Sequence, residues 1–278
     1  MIESTNNGGG PGPKSTLGLA LQDADRFGVG IFEGALEKRE TDEVRRRLWA
    51  VAEAKAAAGP ADFVPADADD NNVRLLSLIN WDAYFIELSG RGEVMEAARH
   101  VIGARMLLSN YSANIMGPGA KSMVLHADQG YVAEPWPPMA LTVNVGWMVD
   151  DFEVSNGATR YVPGSHRATG SPDPDREYET LPIEGPAGSM IIIDGRVWHT
   201  SGANTTKRRQ RAAIFGYYTV PWIRQQVNWR DVLDAGIVAQ CSEEYLQLLG
   251  YNLDNRELFN PGAMEARAEE YRAGAAET

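Results

Sequence analysis

The texture of the chain between Met106 and Val220 limits its fold more than any other feature. Short runs rich in β-branched and aromatic residues recur at 106–115, 124–128, 141–149, 159–162, 190–194 and 211–220, bounded by Gly, Pro, Asn or Asp. Such runs read as strands. Their connectors carry turn residues instead of a helical period, which argues against βαβ units and for antiparallel pairing in two packed sheets. Helical patterns lie outside this block: residues 34–58, with Thr41 as the expected N-cap and Gly59-Pro60 as the stop, and residues 92–102, ended by Gly103. From Ser242, SEEYLQLLGYN reads as a docked helix and GAMEARAEEYRAGAAET as a frayed, charged one. The expectation is a mainly β jelly roll with flanking helices. It forms one domain over 15–278, behind a disordered tail at 1–14 whose Gly, Asn and Pro bury too little apolar surface to offset ordering entropy.

Charge narrows the range of partners. With 26 Lys and Arg against 38 Asp and Glu the net charge is −12, and no basic run exceeds three residues except across Lys207 to Arg211, which Gln210 interrupts. Neither nucleic acid nor an anionic membrane suits such a surface, so a small-molecule substrate is the expected partner; oligomeric state is not legible. No apolar run of 18 residues occurs and the N-terminus lacks the pattern of a secretory signal, which predicts a cytoplasmic protein. Cys241, the single cysteine, rules out an intrachain disulfide and a thiolate-rich zinc site.

Three motifs carry chemistry. In LHADQ, residues 125–129, His126 and Asp128 project from one face of a strand while Ala127 points away, the spacing of two ligands on one metal. In GSMIIIDGRVWHTSG, residues 188–202, a buried strand leaves through Asp194-Gly195 and reaches His199. Two imidazoles and one carboxylate make the facial triad of non-haem Fe(II), which leaves three positions open. In KRRQRAAIFGYYTV, Arg211 shares a strand face with Ala213, Phe215 and Tyr217, and a buried guanidinium needs an anionic partner such as a dicarboxylate. The first two also have a plain alternative: strand decoration for the His-x-Asp pair, a loop hydrogen bond for His199.

Taken together and in this order, SMVLHADQG, VSNGATRYVPGSHR and GPAGSMIIIDGRVWHTSGANTTKRRQRAAIFGYY resemble the phytanoyl-CoA hydroxylase family of Fe(II)/2-oxoglutarate-dependent dioxygenases, over residues 16–225. The resemblance implies a double-stranded β-helix (jelly roll, cupin-like) core and oxidation of a C–H bond of a metabolite with O2, releasing succinate and CO2. It implies iron on His126, Asp128 and His199, the distal 2-oxoglutarate carboxylate on Arg211 and Ser201, and a co-substrate contact from Asn114. The turn before Arg211 is about one residue longer than the family spacing, which keeps Arg209 open as the alternative. Because Asp128 is retained where halogenating relatives have a small residue, oxidation is expected instead of halogenation. Gln129, beside the triad, is the first candidate for lining the pocket, followed by Trp136, Trp147, Tyr217 and Trp222. Residues 133–140, AEPWPPMA, fit a lid or a rigid connector; His166 and His100 read as structural. A cupin-like metal enzyme without 2-oxoglutarate and a non-catalytic binding module are the competing readings.

Overall fold

The structure, a computed structural model, describes residues 10–58, 63–65 and 71–251. In chain order the elements are α1 (Leu17–Phe27), β1 (Val29–Phe32), α2 (Lys38–Ala58), β2 (Phe63–Pro65), β3 (Asn72–Leu75), α3 (Tyr84–Ser89), α4 (Gly92–Ile102), β4 (Leu107–Met116), β5 (Thr142–Met148), β6 (Thr159–Tyr161), β7 (Leu181–Pro182), β8 (Met190–Asp194), β9 (His199–Ser201), β10 (Arg211–Thr219), α5 (Trp229–Val232), α6 (Ala235–Val238) and α7 (Glu243–Leu248). The strands form a major sheet, β1-β8-β5-β10-β4-β3-β2, and a minor sheet, β7-β6-β9, with every strand pair antiparallel. This is the jelly roll expected from the strand texture.

Period-2 alternation sorts the major sheet's side chains between two cores. Val143, Val145 and Trp147 of β5, with Met190 and Ile192 of β8, pack outward against the helices. Met148, Ile191, Ile193 and Ala213 face inward, where they pack with Tyr161 of the minor sheet and with Phe152. α1 lies on β1 because Gly30 has no side chain: a Cβ there would stand 2.1 Å from the carbonyl of Ala20. The helix is capped by Thr16 and ended by Gly28 at φ +80, whose N–H donates to Ala24.

Several local expectations are corrected. α2 begins at Lys38, so Thr41 lies inside its first turn, where its hydroxyl donates to the Glu37 carbonyl at 3.0 Å. The Glu40 carboxylate accepts from the Glu37 N–H instead, the reach-back half of a capping box. The expected strand at 124–128 is reduced to a single bridge at His126, and Asp128 opens a turn. Lys14, assigned to the tail on composition, donates its N–H to Ile31 and accepts from Glu33. Residues 1–9 and the charged C-terminal segment lie outside the described residues. α1, β1 and β3 stand where the sequence reading placed no element, although Thr16 and Gly28 are ordinary helix boundary signals.

Candidate metal centre

His126 and His199 meet through their main chains, each N–H donating to the other's carbonyl at 3.0 and 2.8 Å. Each Nδ1 also lies against the carbonyl two residues earlier, Val124 at 2.9 Å and Val197 at 3.0 Å. A carbonyl only accepts, so both Nδ1 atoms carry the proton and both Nε2 atoms keep a lone pair. Those nitrogens stand 3.8 and 3.7 Å from Oδ1 and Oδ2 of Asp128. The ring centroids are 4.5 Å apart, and one ligand atom from each of the three residues falls within 4.8 Å of the others. Burial pushes the His199 pKa down against the opposing pull of the Asp128 carboxylate. The resulting neutral imidazole is the form that ligates a cation.

Asp128 is gripped from the sheet at two points. Asn144 Nδ2 donates to its Oδ2 at 2.5 Å, and the Tyr217 hydroxyl donates to its main-chain carbonyl at 2.9 Å. Tyr217 and Asn144 are directly paired across β10 and β5, so one cross-strand row supports the turn that carries the carboxylate. Tyr131, half exposed, places its hydroxyl 3.1 Å from that of Tyr217.

The same cavity contains Arg211, Ser201 and Asn114. Arg211 is 1% exposed; its guanidinium stacks on Phe152 at 4.6 Å and Nη2 donates to the Gly157 carbonyl at 2.5 Å. Nε has no partner among the described residues, and burial depresses the pKa to about 10, opposed by Asp150. Gly157 sits at φ +86, as the Asn-Gly turn requires. Ser201 Oγ accepts from the Met123 N–H at 3.2 Å, which leaves its own hydrogen available to the cavity. Asn114 Oδ1 is buried without a hydrogen-bond partner among the described residues. Arg209, by contrast, is on the surface, paired through both terminal nitrogens with Glu153 at 2.8 and 2.6 Å.

The donor set fits Fe(II): two neutral imidazoles and a carboxylate from one side, no thiolate, and a preference for nitrogen and oxygen. A dicarboxylate fits the rest, because Arg211 is a buried cation among whose described neighbours no carboxylate forms an ion pair.

Gln129 is a correction. It follows Asp128 by one residue, and its side chain points away from the cavity to a fully buried position where Oε1 accepts from the Leu141 N–H at 2.8 Å. Trp136 joins a small cluster with Trp198, Trp147 faces the helices, and Trp222 is 69% exposed; of the aromatic candidates only Tyr217 lines the cavity. The 133–140 segment is a pinned connector, held by Trp136 N–H to Thr169, Ser171 N–H to Glu134 and Arg196 to the Pro138 carbonyl. His166 is buried in the turn at Ser165–Arg167, and His100 pairs with Asp25 on the surface. Sequence reasoning missed Asn144, Asn110, Ser112 and Arg74, all of which line the cavity. The signal was present in two places, as polar residues at alternate positions of LLSNYSANIM and as a lone Asn in TVNVGWM.

A jelly roll with an imidazole–carboxylate–imidazole cluster in its interior is the architecture of a non-haem metal oxygenase. The chain belongs to the phytanoyl-CoA dioxygenase (PhyH) family, which residues 24–213 match. It is 39% identical over 218 residues to dioxygenase af480 of Aspergillus fumigatus, a match covering 77% of this chain and 70% of that one. Among solved structures, the non-haem α-ketoglutarate-dependent epimerase SnoN from nogalamycin biosynthesis superposes with a TM-score of 0.60 at 19% identity, covering 79% of this chain and 90% of SnoN. HygX from Streptomyces hygroscopicus, with nickel, 2-oxoglutarate and hygromycin B bound, superposes at 0.62 and 14% identity, covering 74% and 88%.

Proposed function

We propose that this dioxygenase uses Fe(II), 2-oxoglutarate and O2 to oxidise a C–H bond of a small-molecule metabolite, releasing succinate and CO2. The observation that carries the reading is the convergence, in one cavity, of the three metal-type donors with a buried arginine that has no carboxylate partner among the described residues. His126, Asp128 and His199 would hold the iron. Iron bound there with 2-oxoglutarate and O2 would supply the oxidising chemistry.

The chain's own residues do the rest. The two Nδ1 hydrogen bonds fix both imidazole tautomers and aim Nε2 inward. Asn144 and Tyr217 hold the Asp128 turn against the sheet. Arg211 pairs with the distal carboxylate of 2-oxoglutarate, Ser201 donates to the same group, and Asn114 is within the same wall. Phe152 and the inner core around Arg211 exclude water from that pair.

The fungal dioxygenase relatives, the neighbour from nogalamycin biosynthesis and the neighbour with hygromycin B bound support a place in natural-product metabolism. No helix among the described residues is long and apolar enough to cross a membrane; action in the cytoplasm is part of this proposal, on the composition alone.

Anaerobic titration of the metal-free protein with Fe(II) and then 2-oxoglutarate tests it. A weak visible charge-transfer band is expected in wild type and none in His199→Ala. Iron binding with no band on adding 2-oxoglutarate would select the cupin-like alternative, and no iron binding would select the binding module.

A further inference from the structure

β3 contributes one side chain to the cavity, that of Arg74. Its neighbours Val73 and Leu75 pack outward into the core under the helices, so alternation turns Arg74 to the inner face. There its register partner is Asn114 of β4, which in turn lies across from Ala213 of β10. β3 is flanked by β2 and β4, so this arginine stands within the sheet and not on its rim. It is partly exposed, and its guanidinium has no ion pair and no hydrogen bond among the described residues. An arginine on the inner face of two packed sheets ordinarily meets an anion.

The charges of the loaded cavity show which anion is missing. Asp128 is the only carboxylate among the described lining residues. Asp150, which acts on Arg211 from outside the cavity, is paired with Arg45 at 3.0 Å. Fe(II) and Arg211 bring three positive charges, and Asp128 with the two carboxylates of 2-oxoglutarate brings three negative ones. Arg74 is then one positive charge that nothing in the cavity balances, in surroundings where charges are weakly screened.

We propose that Arg74 is a specificity-determining residue and that the primary substrate carries a carboxylate, which forms a bidentate pair with its guanidinium while a C–H bond elsewhere in the molecule is oxidised. This rests on the proposed function of the cavity. A carboxylate matches the single unbalanced charge and the planar fork of the guanidinium. A phosphate monoester, with about two negative charges, overshoots it. An ammonium is repelled by both arginines. Ser112, diagonal to Arg74 on β4, lines the same cavity and offers a hydroxyl donor to the same group.

The test uses the full chain saturated with Fe(II) and 2-oxoglutarate and kept anaerobic, so that binding is read without turnover. Wild type, Arg74→Leu and Arg74→Lys are titrated with benzoate, cyclohexanecarboxylate and decanoate, each against its primary amide, and with phenyl phosphate, by calorimetry and by the shift of the chelate band. Wild type is expected to bind at least one acid on the order of 10–100-fold more tightly than its amide, and more tightly than phenyl phosphate. Arg74→Leu is expected to lose that preference and to bind 2-oxoglutarate as wild type does. Arg74→Lys, which keeps the charge without the fork, should retain part of the preference. The proposal is overturned if the amides match the acids, if no acid binds, if phenyl phosphate binds better, or if Arg74→Leu keeps the preference. It is equally overturned if Arg74→Leu loses affinity for 2-oxoglutarate, which assigns Arg74 to the co-substrate. Absence of the chelate band in wild type before any acid is added would instead sink the underlying reading of the site.

Discussion

Replacing Arg211 with methionine is expected to move stability and co-substrate binding in opposite directions. Burial holds the guanidinium at about 10 against an ordinary 12.5. At about 1.4 kcal/mol per pH unit, the folded chain carries roughly 3 kcal/mol of unfavourable desolvation at neutral pH. Methionine has a similar length and no charge, so that cost disappears. The Gly157 carbonyl loses its donor, which costs about 1 kcal/mol, and stacking on Phe152 is exchanged for a sulfur–aromatic contact. The net is a ligand-free protein more stable by roughly 1–2 kcal/mol, a rise in Tm of about 3–6 °C for a chain of this size. Binding of 2-oxoglutarate, however, loses the pair, about 3–5 kcal/mol or on the order of 100- to 5,000-fold in Kd. Thermal melts of the metal-loaded protein with and without 2-oxoglutarate should therefore cross. Wild type gains about 2.7 kcal/mol at a hundredfold excess over Kd, and at the same concentration the variant gains at most about 0.4 kcal/mol. Arg209→Ala should bind as wild type does. A destabilised Arg211→Met that still binds 2-oxoglutarate, with the loss appearing in Arg209→Ala, would refute the reasoning.

Three further outcomes follow from the geometry. Removing the carboxylate in Asp128→Ala should abolish both Fe(II) retention and turnover; iron binding at wild-type strength would show that the cluster is not the metal site. Asn144→Ala, which frees the Asp128 carboxylate from its 2.5 Å hydrogen bond, should weaken Fe(II) binding by about 10–100-fold, and equal affinity by anaerobic titration would show that the bond plays no part in positioning. Burial lowers the pKa of His166, against the opposing pull of the Asp194 carboxylate. Below pH ~6.5 the unfolded chain then takes up the proton more readily than the folded one, so stability falls as pH drops through that value, by at most about 1.4 kcal/mol per pH unit. Chemical denaturation between pH 7.5 and 5 should show a shallower decline for His166→Leu; identical slopes would exclude His166 as a source of the acid sensitivity.

Alternation along single strands was legible from the residues alone. It placed Arg211, Ala213, Phe215 and Tyr217 on one face of β10, because side-chain direction in a strand is a local property of the backbone; on β4 only Asn114 was singled out, although Asn110 and Ser112 share its face. The His-x-Asp pair was legible for the same reason in its spacing, although the strand expected to carry it is only a bridge followed by a turn. The strand that it opens favoured Arg211 from the residues alone, with Arg209, equally basic and two residues away, left as the alternative. Glu153, 56 residues away, neutralises Arg209 on the surface, while Arg211 enters the sheet without a carboxylate. Gln129 was misjudged because adjacency in sequence to Asp128 says nothing about which side of a turn faces the cavity; the Leu141 N–H claimed its amide. Asn144 and Asn110 could be noticed as polar interruptions, but only the tertiary structure shows one bonded to the Asp128 carboxylate and the other to Gln226. Local periodicity is written into each segment, whereas the partner of a buried charge or amide is set by whichever distant segment packing brings to it, and that is a property of the tertiary structure.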